Sequence, residues 1–270
     1  MKRALVLSGG GLFGAWQAGA WRSLADRMHP DLVVGASVGS LNGYAIAGGA
    51  TPQELAEFWL QPATADFSKL PETIRALMER YPLESASTTP SPDGRQSFRD
   101  SSRQPTGAIG SYALVLTDLL RMKARIFSGA EITWRHVAAS CAIPGVLRPY
   151  KIDGRWYFDG GLLNPLPVWA AVELGATHIV ALHALPQIPS ILLRPFVKGF
   201  RAVAGYNPPL PPGVELTLIS TGGAIGSMRD ALRWKRENIE RWLQLGYSAA
   251  QNISLPNCYG GDCLSEPLER

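Results

Sequence analysis

The sequence predicts an α/β fold, because its first half alternates short buried strands with helices. Residues 3–8 and 31–36 are short apolar runs with β-branched residues, a pattern typical of strands buried on both faces of a sheet. Each run leads into a helical segment, from about residue 13 to 28 and from residue 38 to 48. Strand, helix, strand and helix at this spacing indicate a right-handed crossover between parallel strands.

The rest of the chain adds further elements on either side of a polar segment. Thr51 followed by Pro52 predicts the start of a third helix. Residues 84–110 are mostly Ser, Thr, Pro, Gly, Asp and Arg, which predicts a flexible loop, either a disordered insertion or a lid over an active site. Beyond it we expect strands at 112–117, 125–128, 177–182 and 214–220, a hairpin over 150–158 turning at Asp153-Gly154, and helices at 132–139, 167–174 and 228–250.

Composition and charge exclude several classes of protein. Hydrophobic residues make up 46% of the chain and charged residues 18%, which suits a folded globular protein. The net charge of +4 comes without a dense Lys/Arg run, so no nucleic-acid partner is expected. No internal repeat or second core is visible, and we expect residues 1–270 to form one domain.

The sequence predicts a cytoplasmic protein that is soluble or peripheral to a membrane. No stretch reaches the roughly 18 consecutive apolar residues that a membrane span needs. The chain has three cysteines, an odd number that argues against a disulfide framework, although Cys258 and Cys263 are close enough in sequence to close a small loop.

The first candidate for chemistry is Ser37, which lies in a G-x-S-x-G motif with Gly35 and Gly39. The motif by itself is common in a glycine-rich chain. Here it falls where a buried strand ends and a helix begins, which is the context of a nucleophile elbow. Small neighbours let the backbone turn sharply, and the start of the helix presents positive partial charge to an anion that forms there.

A second candidate is the glycine cluster that follows the first strand. Gly9, Gly10 and Gly11 allow successive backbone N–H groups to point into one concavity, as in an oxyanion hole or a phosphate nest. With Gly14 the cluster also fits the dinucleotide fingerprint G-x-G-x-x-G. That fingerprint requires an acidic residue at the end of the second strand, and this strand carries Asp31 at its beginning.

A third candidate is Asp159, which follows the predicted hairpin and precedes Gly160 and Gly161. Such a tripeptide is either a plain turn or the site of a general base. The four histidines lack a distinctive context, so packed or surface positions explain them. A carboxylate close to a serine hydroxyl and partly desolvated can act as its base. No Cys/His cluster has the spacing of a metal site.

These motifs, in this order, resemble the patatin-like phospholipase family. The likeness runs from Ala4 to about Val168, with a gap at the polar segment. Residues 139–149, Ala-Ser-Cys-Ala-Ile-Pro-Gly-Val-Leu-Arg-Pro, are similar to a further block of the family, and so is Asn164-Pro165. Four ordered blocks are far more specific than any one of them.

The resemblance implies a three-layer α/β/α fold with a mostly parallel central sheet and a lipid acyl-ester hydrolase that needs no metal or cofactor. It implies Ser37 as the nucleophile and Asp159 as its base, in a catalytic dyad. It also implies that the glycine cluster forms the oxyanion hole. The implied oxyanion residues are Gly9, Gly10 and Gly11, and the supporting glycines of the motifs are Gly14, Gly35, Gly39, Gly160 and Gly161.

Two alternatives to the hydrolase remain open at the level of sequence. An acyltransferase would use an alcohol in place of water in the second step. A catalytically impaired lipid-binding module is the other, because the family usually has Lys or Arg at the position of Phe13. On the resemblance alone, Phe13→Arg is expected to raise the esterase rate or leave it unchanged.

Residues 191–204 predict a contact with membranes. In a helix, Arg194, Lys198 and Arg201 form one basic face, and Phe196 and Phe200 lie on another. A basic stripe beside an apolar one suits a helix that rests on anionic lipid, although a surface helix packed on the core has the same pattern. The expected partner is therefore a lipid or other acyl-ester substrate, with peripheral membrane contact through this segment.

Overall fold

A computed structural model describes residues 1–83, 111–186 and 208–255 of the chain. Within these residues a single sheet contains eight strands in the order β5-β6-β3-β2-β1-β7-β8, with β4 paired to β3. In this order β3, β2, β1, β7 and β8 form a parallel run. β6 pairs antiparallel with β3 and with β5, and β4 pairs antiparallel with β3. The strands are β1 (Arg3–Leu7), β2 (Leu32–Ala36), β3 (Tyr112–Asp118), β4 (Lys123–Ser128), β5 (Tyr150–Ile152), β6 (Arg155–Asp159), β7 (His178–His183) and β8 (Glu215–Ser220).

Helices cover both faces of the sheet and form two separate apolar clusters. Alternation along β1 sends Leu5 and Leu7 to one cluster and Ala4 and Val6 to the other. The first cluster packs against α1–α5 and α7, and the second packs against α6. The predicted three-layer α/β/α fold is confirmed. The helices are α1 (Gly14–Leu24), α2 (Val38–Ala47), α3 (Pro52–Leu60), α4 (Leu70–Arg80), α5 (Trp134–Ser140), α6 (Val168–Glu173) and α7 (Arg236–Gln251).

β2 and β6 meet end to end along one edge of β3. β4 pairs with residues 113–118 of β3 and therefore fills the opposite edge over this whole length. On the shared edge, parallel β2 extends to Ala36 opposite Val115, and antiparallel β6 ends with Asp159 opposite Leu116. The carboxyl ends of β2 and β6 thus face each other at adjacent positions of β3.

The C-terminal helix α7 packs closely against α1. At the crossing, a Cβ on Gly19 would overlap the carbonyl oxygen of Leu243, and a Cβ on Gly246 would overlap that of Trp16. The two glycines therefore let the helix backbones approach each other closely. Next to this crossing, the ring of Trp242 meets the buried ring of Phe13 edge-on, with 4.9 Å between the ring centroids.

The prediction of a helix over residues 228–250 is wrong at its start, because α7 begins at Arg236. The preceding residues form a turn in which Asp230 Oδ2 accepts hydrogen bonds from the amide and hydroxyl of Ser227, at 2.9 and 2.7 Å. These side-chain bonds compete with the helical pattern. The helix predicted over 13–28 is also shorter, since α1 ends at Leu24.

Several predictions fall outside the described residues. They are the polar loop at 84–110, the membrane-contacting helix at 191–204 and the pairing of Cys258 with Cys263. Among the residues that the structure does describe, no helix is both long enough and apolar enough to cross a bilayer. That residues 1–270 form one domain stays a prediction.

Candidate active site

Ser37 occupies a strained turn between β2 and α2. Its φ of 54° and ψ of −131° lie outside the regions that residues with a side chain normally adopt. The neighbouring glycines make the turn possible by close approach: a Cβ on Gly35 would overlap the Gly39 carbonyl, and one on Gly39 would overlap the Leu7 carbonyl. Strain of this kind at a serine that precedes a helix is the geometry of a nucleophile elbow.

The hydroxyl of Ser37 donates a hydrogen bond to the carboxylate of Asp159. Ser37 Oγ lies 2.6 Å from Asp159 Oδ2, and both side chains are buried. The other carboxylate oxygen, Oδ1, accepts a 2.7 Å bond from the amide of Gly161. Both carboxylate oxygens are thus held, and one of them is directed at the serine. A hydroxyl next to an oriented, buried carboxylate has the geometry that proton transfer between the two groups requires.

The pair meets because β2 and β6 end on the same edge of β3. Gly160 follows directly, and a Cβ there would overlap the carbonyl oxygen of Val115. The backbone carbonyl of Asp159 accepts a 2.9 Å bond from the hydroxyl of Thr117 on β3. The carboxylate therefore leaves the sheet from an anchored strand end, level with the elbow.

Ser140, at the end of α5, is part of the site, and its role was not recognised in the sequence. Its Oγ accepts a 2.9 Å bond from the amide of Ser37 and donates a 3.1 Å bond to the carbonyl of Val115. It therefore fixes the elbow to the middle of β3. The signal was present in the Ala-Ser-x-Ala block at 139–142, where Ser140 was quoted only as part of the resemblance.

The amides of Gly9, Gly10 and Gly11, predicted to bind an oxyanion, differ in their surroundings, and only that of Gly9 already has an acceptor among the described residues. Its N–H donates a 2.8 Å bond to the carbonyl of Pro165. Gly9 instead provides space, since a Cβ there would lie 3.2 Å from the Cβ of Ser37. Within the described parts of the chain, the amides of Gly10 and Gly11 have no acceptor and remain available to a ligand.

The glycine cluster is braced from the C-terminal part of the chain. Gly11 has φ of 56°, and a Cβ on it would overlap the carbonyl oxygen of Ala231. That same carbonyl accepts a 2.9 Å bond from the amide of Leu12. The next residue, Phe13, is fully buried against Trp242. At the position where the family usually has a cation, this chain therefore has part of its core.

A buried chain of hydrogen bonds supports the same region. Gln17 Nε2 donates to the carbonyl of Ser8 at 2.7 Å. Asn42 Nδ2 donates to Gln17 Oε1 at 3.0 Å and to the carbonyl of Gly14 at 2.9 Å. The indole N–H of Trp59 donates to Asn42 Oδ1 at 2.9 Å. The strand end before the glycines and the helix start after them are thereby tied to α2 and α3.

The surroundings of Cys141 and of the histidines argue against a cysteine nucleophile and a histidine base. Burial raises the pKa of the Cys141 thiol, and the nearby Asp159 charge raises it further, so this thiol stays protonated at neutral pH. All four histidines lie in the described residues, and none of them bonds to Ser37. His136 accepts from the Thr133 amide at 3.1 Å, and His178 lies 3.5 Å from Glu215.

A cavity of about 660 Å³ lies beyond the loop that follows Asp159, and neither Ser37, Asp159 nor the glycine cluster lines it. Asn164 and Pro165, in the loop after Asp159, form its wall on this side, and the carbonyl of Pro165 is the acceptor for Gly9. Its lining is mainly apolar and comes from α6, β8 and the segment before β8. Among the lining residues are Leu166, Val168, Val172, Leu210 and Leu216.

The sequence is similar to a known protein family and to several known proteins. The family model of patatin-like phospholipase matches residues 5–172. The chain is 30% identical over 187 residues to patatin-like phospholipase domain-containing protein 7 of Rattus norvegicus, covering 66% of this chain and 13% of that protein. It is 31% identical over 198 residues to an uncharacterized NTE family protein of Mycobacterium tuberculosis, covering 69% of this chain and 51% of that protein. The chain thus spans between about an eighth and about half of these relatives.

Among solved structures, VipD from Legionella pneumophila is similar, with a TM-score of 0.46 and 14% identity over 92% of this chain and 66% of that chain. The type III effector ExoU has a TM-score of 0.41 and 16% identity, over 92% of this chain and 52% of that chain. The family match covers every sequence motif of the candidate site, from Gly9 to Asn164-Pro165. The chain therefore belongs to the patatin-like phospholipase family.

Proposed function

We propose that this chain hydrolyses acyl esters of lipids, with Ser37 as the nucleophile and Asp159 as its general base. One observation carries the proposal. The hydroxyl at a strained strand–helix elbow lies 2.6 Å from a carboxylate whose second oxygen is fixed by the Gly161 amide. Membership of the patatin-like phospholipase family supports lipid hydrolysis in general. The pair of residues supplies a specific mechanism.

In the first step, Asp159 Oδ2 takes the proton of Ser37, and Oγ attacks the carbonyl carbon of the ester. The carbonyl oxygen becomes an oxyanion. The unoccupied amides of Gly10 and Gly11 are its donors in this proposal, because preorganised N–H groups stabilise charge where it develops. When the intermediate collapses, the C–O bond breaks, and the leaving alcohol takes the proton back from Asp159. The acyl group stays on Ser37.

In the second step, Asp159 removes a proton from water, and the hydroxide attacks the acyl-enzyme. A second tetrahedral intermediate forms, and the same amides stabilise its oxyanion. When it collapses, the fatty acid is released and Asp159 returns the proton to Ser37. An alcohol in place of water would make the same site an acyltransferase. The expectation that no metal or cofactor takes part stays a prediction.

The acyl chain is proposed to enter the cavity between α6 and β8. The cavity begins at Pro165, whose carbonyl bonds to the amide of Gly9, and Gly9 in turn borders Ser37. Apolar walls favour a hydrocarbon chain over a polar group because the chain leaves water without losing hydrogen bonds. This supports lipid esters over small polar esters as substrates.

The buried position of Phe13 supports the hydrolase over the impaired lipid-binding module. Phe13 packs on Trp242, so the side chain at this position is part of the core next to the glycine cluster. Backbone donors need no side chain at this position. The alternative that rested on Phe13 therefore has less support than the sequence suggested.

Covalent labelling tests the assignment directly. A fluorophosphonate probe should modify the wild-type protein at Ser37, identified by peptide mapping. Ser37→Ala should abolish the labelling and the hydrolysis of a p-nitrophenyl ester, and Ser248→Ala, on the exposed side of α7, should change neither. Product analysis with and without glycerol separates hydrolysis from acyl transfer. Labelling that persists in a folded Ser37→Ala protein would refute the proposal.

A further inference from the structure

Two hairpins project beyond the carboxyl end of β2, where Ser37 lies. β2 ends opposite Val115, but β3 continues to Asp118 and turns into β4. β6 pairs with this extension, and β5 pairs with β6. We call residues 118–125 and 150–158 the hairpin tips. At about 3.3 Å per residue, β3 extends roughly 7 Å beyond the level of Leu116, which is opposite Asp159, before the turn that carries Leu120.

The hairpin tips expose large apolar side chains. Leu120 is 82% exposed, more than any other large hydrophobic side chain in the described residues, and Trp156 is 41% exposed. The backbone segments that carry them are neighbours, because the amide of Leu119 donates a 2.9 Å bond to the carbonyl of Trp156. Scattered exposed apolar residues are normal at a surface. An exposed leucine and an exposed tryptophan on neighbouring segments at the projecting end of the two hairpins are not explained by packing.

The exposure of Leu120 is built into the turn. The buried carboxylate of Asp118 accepts bonds from the amides of Leu120 and Arg121, both at 3.1 Å. It also lies 3.5 Å from the guanidinium of Arg121 and 3.8 Å from that of Arg155, so one buried charge links both hairpins. The turn is therefore ordered with Leu120 outward, and little conformational entropy remains to be lost on binding.

The charge around the apolar pair is positive. The hairpin tips contain five cationic side chains and two carboxylates, of which Asp118 is buried. The formal net charge of +3 in these two short segments compares with +4 for the whole chain of 270 residues. The ammonium of Lys151 lies 6.0 Å from the centre of the Trp156 ring, so cation and aromatic ring are adjacent. The cations are Arg121, Lys123, Arg125, Lys151 and Arg155.

We propose that the hairpin tips dock on an anionic lipid surface. Leu120 and Trp156 enter the boundary between head groups and acyl chains, and the surrounding cations contact lipid phosphates and carboxylates. Apolar insertion combined with cationic attraction is how proteins rest on such surfaces. The hairpin tips project from the same end of the sheet as Ser37, the carboxyl end of β2 and β3. Docking would therefore turn the candidate active site toward the membrane. The inference takes its substrate from the proposed function, but the docking itself does not require Ser37.

Vesicle sedimentation with the full chain tests the proposal. Wild-type protein should sediment with phosphatidylcholine vesicles that contain 30% phosphatidylserine, and less with pure phosphatidylcholine. Leu120→Ser combined with Trp156→Ser should lower the partition coefficient at least tenfold. Leu218→Ser and Leu245→Ser, at side chains 50% and 42% exposed elsewhere, are matched controls and should change it less than twofold. Lys123→Gln combined with Lys151→Gln should remove most of the dependence on phosphatidylserine and on salt.

Separate measurements keep the docking and the catalysis distinguishable. Ser37→Ala should bind vesicles as the wild type does, whether or not the wild type is an esterase. The Leu120/Trp156 variant should retain its circular dichroism and its hydrolysis of a soluble ester; if it does not fold, Leu120→Ser with Lys123→Gln serves instead. No binding of the wild type to anionic vesicles overturns the proposal. So does equal loss in the control variants, or undiminished binding of the Leu120/Trp156 variant.

Discussion

At Ser37, three separate interactions determine where one oxygen atom lies. The strained backbone turns the side chain out of β2, the Ser140 hydroxyl accepts from the Ser37 amide, and Asp159 accepts from Oγ. Each comes from a different part of the chain. Both residues were predictable from short sequence motifs. Ser37 lies in a G-x-S-x-G motif, and Asp159 precedes two glycines. The function of Ser140 was not predictable, since it acts through a hydrogen bond that only the folded backbone forms.

Asp159→Asn should lower kcat for a short-chain p-nitrophenyl ester by about 10²–10⁴-fold, the usual contribution of a positioned general base. An amide cannot take the serine proton at neutral pH, although it has nearly the same shape. Circular dichroism and thermal unfolding should show a folded protein. If the variant kept most of its activity while replacing one of the four histidines abolished it, a serine–histidine mechanism would replace the pair proposed here.

Phe13→Arg should destabilise the protein, a cost that the expectation for its esterase rate, made from the resemblance alone, does not include. The side chain is fully buried and meets Trp242 edge-on, so arginine would place an unpaired charge in the core. The loss should be on the order of 3–5 kcal/mol in the free energy of unfolding. Urea denaturation of Phe13→Arg beside Phe13→Leu measures it. A stable Phe13→Arg protein with an unchanged or higher esterase rate would restore the original expectation.

At the level of elements, the sequence predicted most strands to within a residue or two, because buried strands have short apolar runs. The hairpin turn at Asp153-Gly154 was predicted correctly for the same kind of local reason, since both residues adopt positive φ there. Pairing was not predictable. That β2 and β6 share one edge of β3 depends on contacts between distant segments. The long amphipathic pattern after Met228 predicted a helix that starts too early. Ser227 and Asp230 form a turn at its start, and the helix begins only at Arg236.

The cavity beside α6 gives a prediction about chain length. Val172→Trp adds a large ring to a lining residue that is only partly buried, so the fold should tolerate it. Hydrolysis of long-chain p-nitrophenyl esters should fall at least tenfold relative to the wild type, and that of the acetate ester should change little. Val214→Trp, outside the cavity lining, is the control. An equal effect on both esters would place the acyl chain elsewhere.

At the scale of the whole molecule, the family match ends at residue 172, but the site depends on residues beyond it. Ala231 bonds to Leu12 and borders Gly11, and Trp242 covers Phe13. The segment from 225 to 251 therefore acts as a clamp on the glycine cluster. A clamp of this kind has no local motif, because its function depends on where α7 crosses α1.

Gly246→Ala should destabilise the protein although alanine is the better helix former. The intrinsic gain is about 1 kcal/mol. A Cβ at this position would overlap the backbone of Trp16, so α7 would have to move away from α1, and overpacking of this kind typically costs about 1–3 kcal/mol. Because the obstacle is backbone, we expect the cost to exceed the gain. Thermal unfolding of Gly246→Ala beside the exposed Ser248→Ala provides the comparison, and a higher midpoint for Gly246→Ala would contradict it.

The meeting of β2 and β6 on β3 makes the contact between Ser37 and Asp159 conditional on completed folding. Ser37 is synthesised early, but Asp159 follows 122 residues later and reaches it only when both strands have the correct register. A slip of β6 by one residue would move Asp159 about 3.3 Å and turn it to the other face of the sheet. A nascent or misregistered chain therefore carries a serine without the carboxylate beside it. Under the proposed mechanism, the folding reaction itself keeps the protein inert toward lipid esters until the last of these strands is in place.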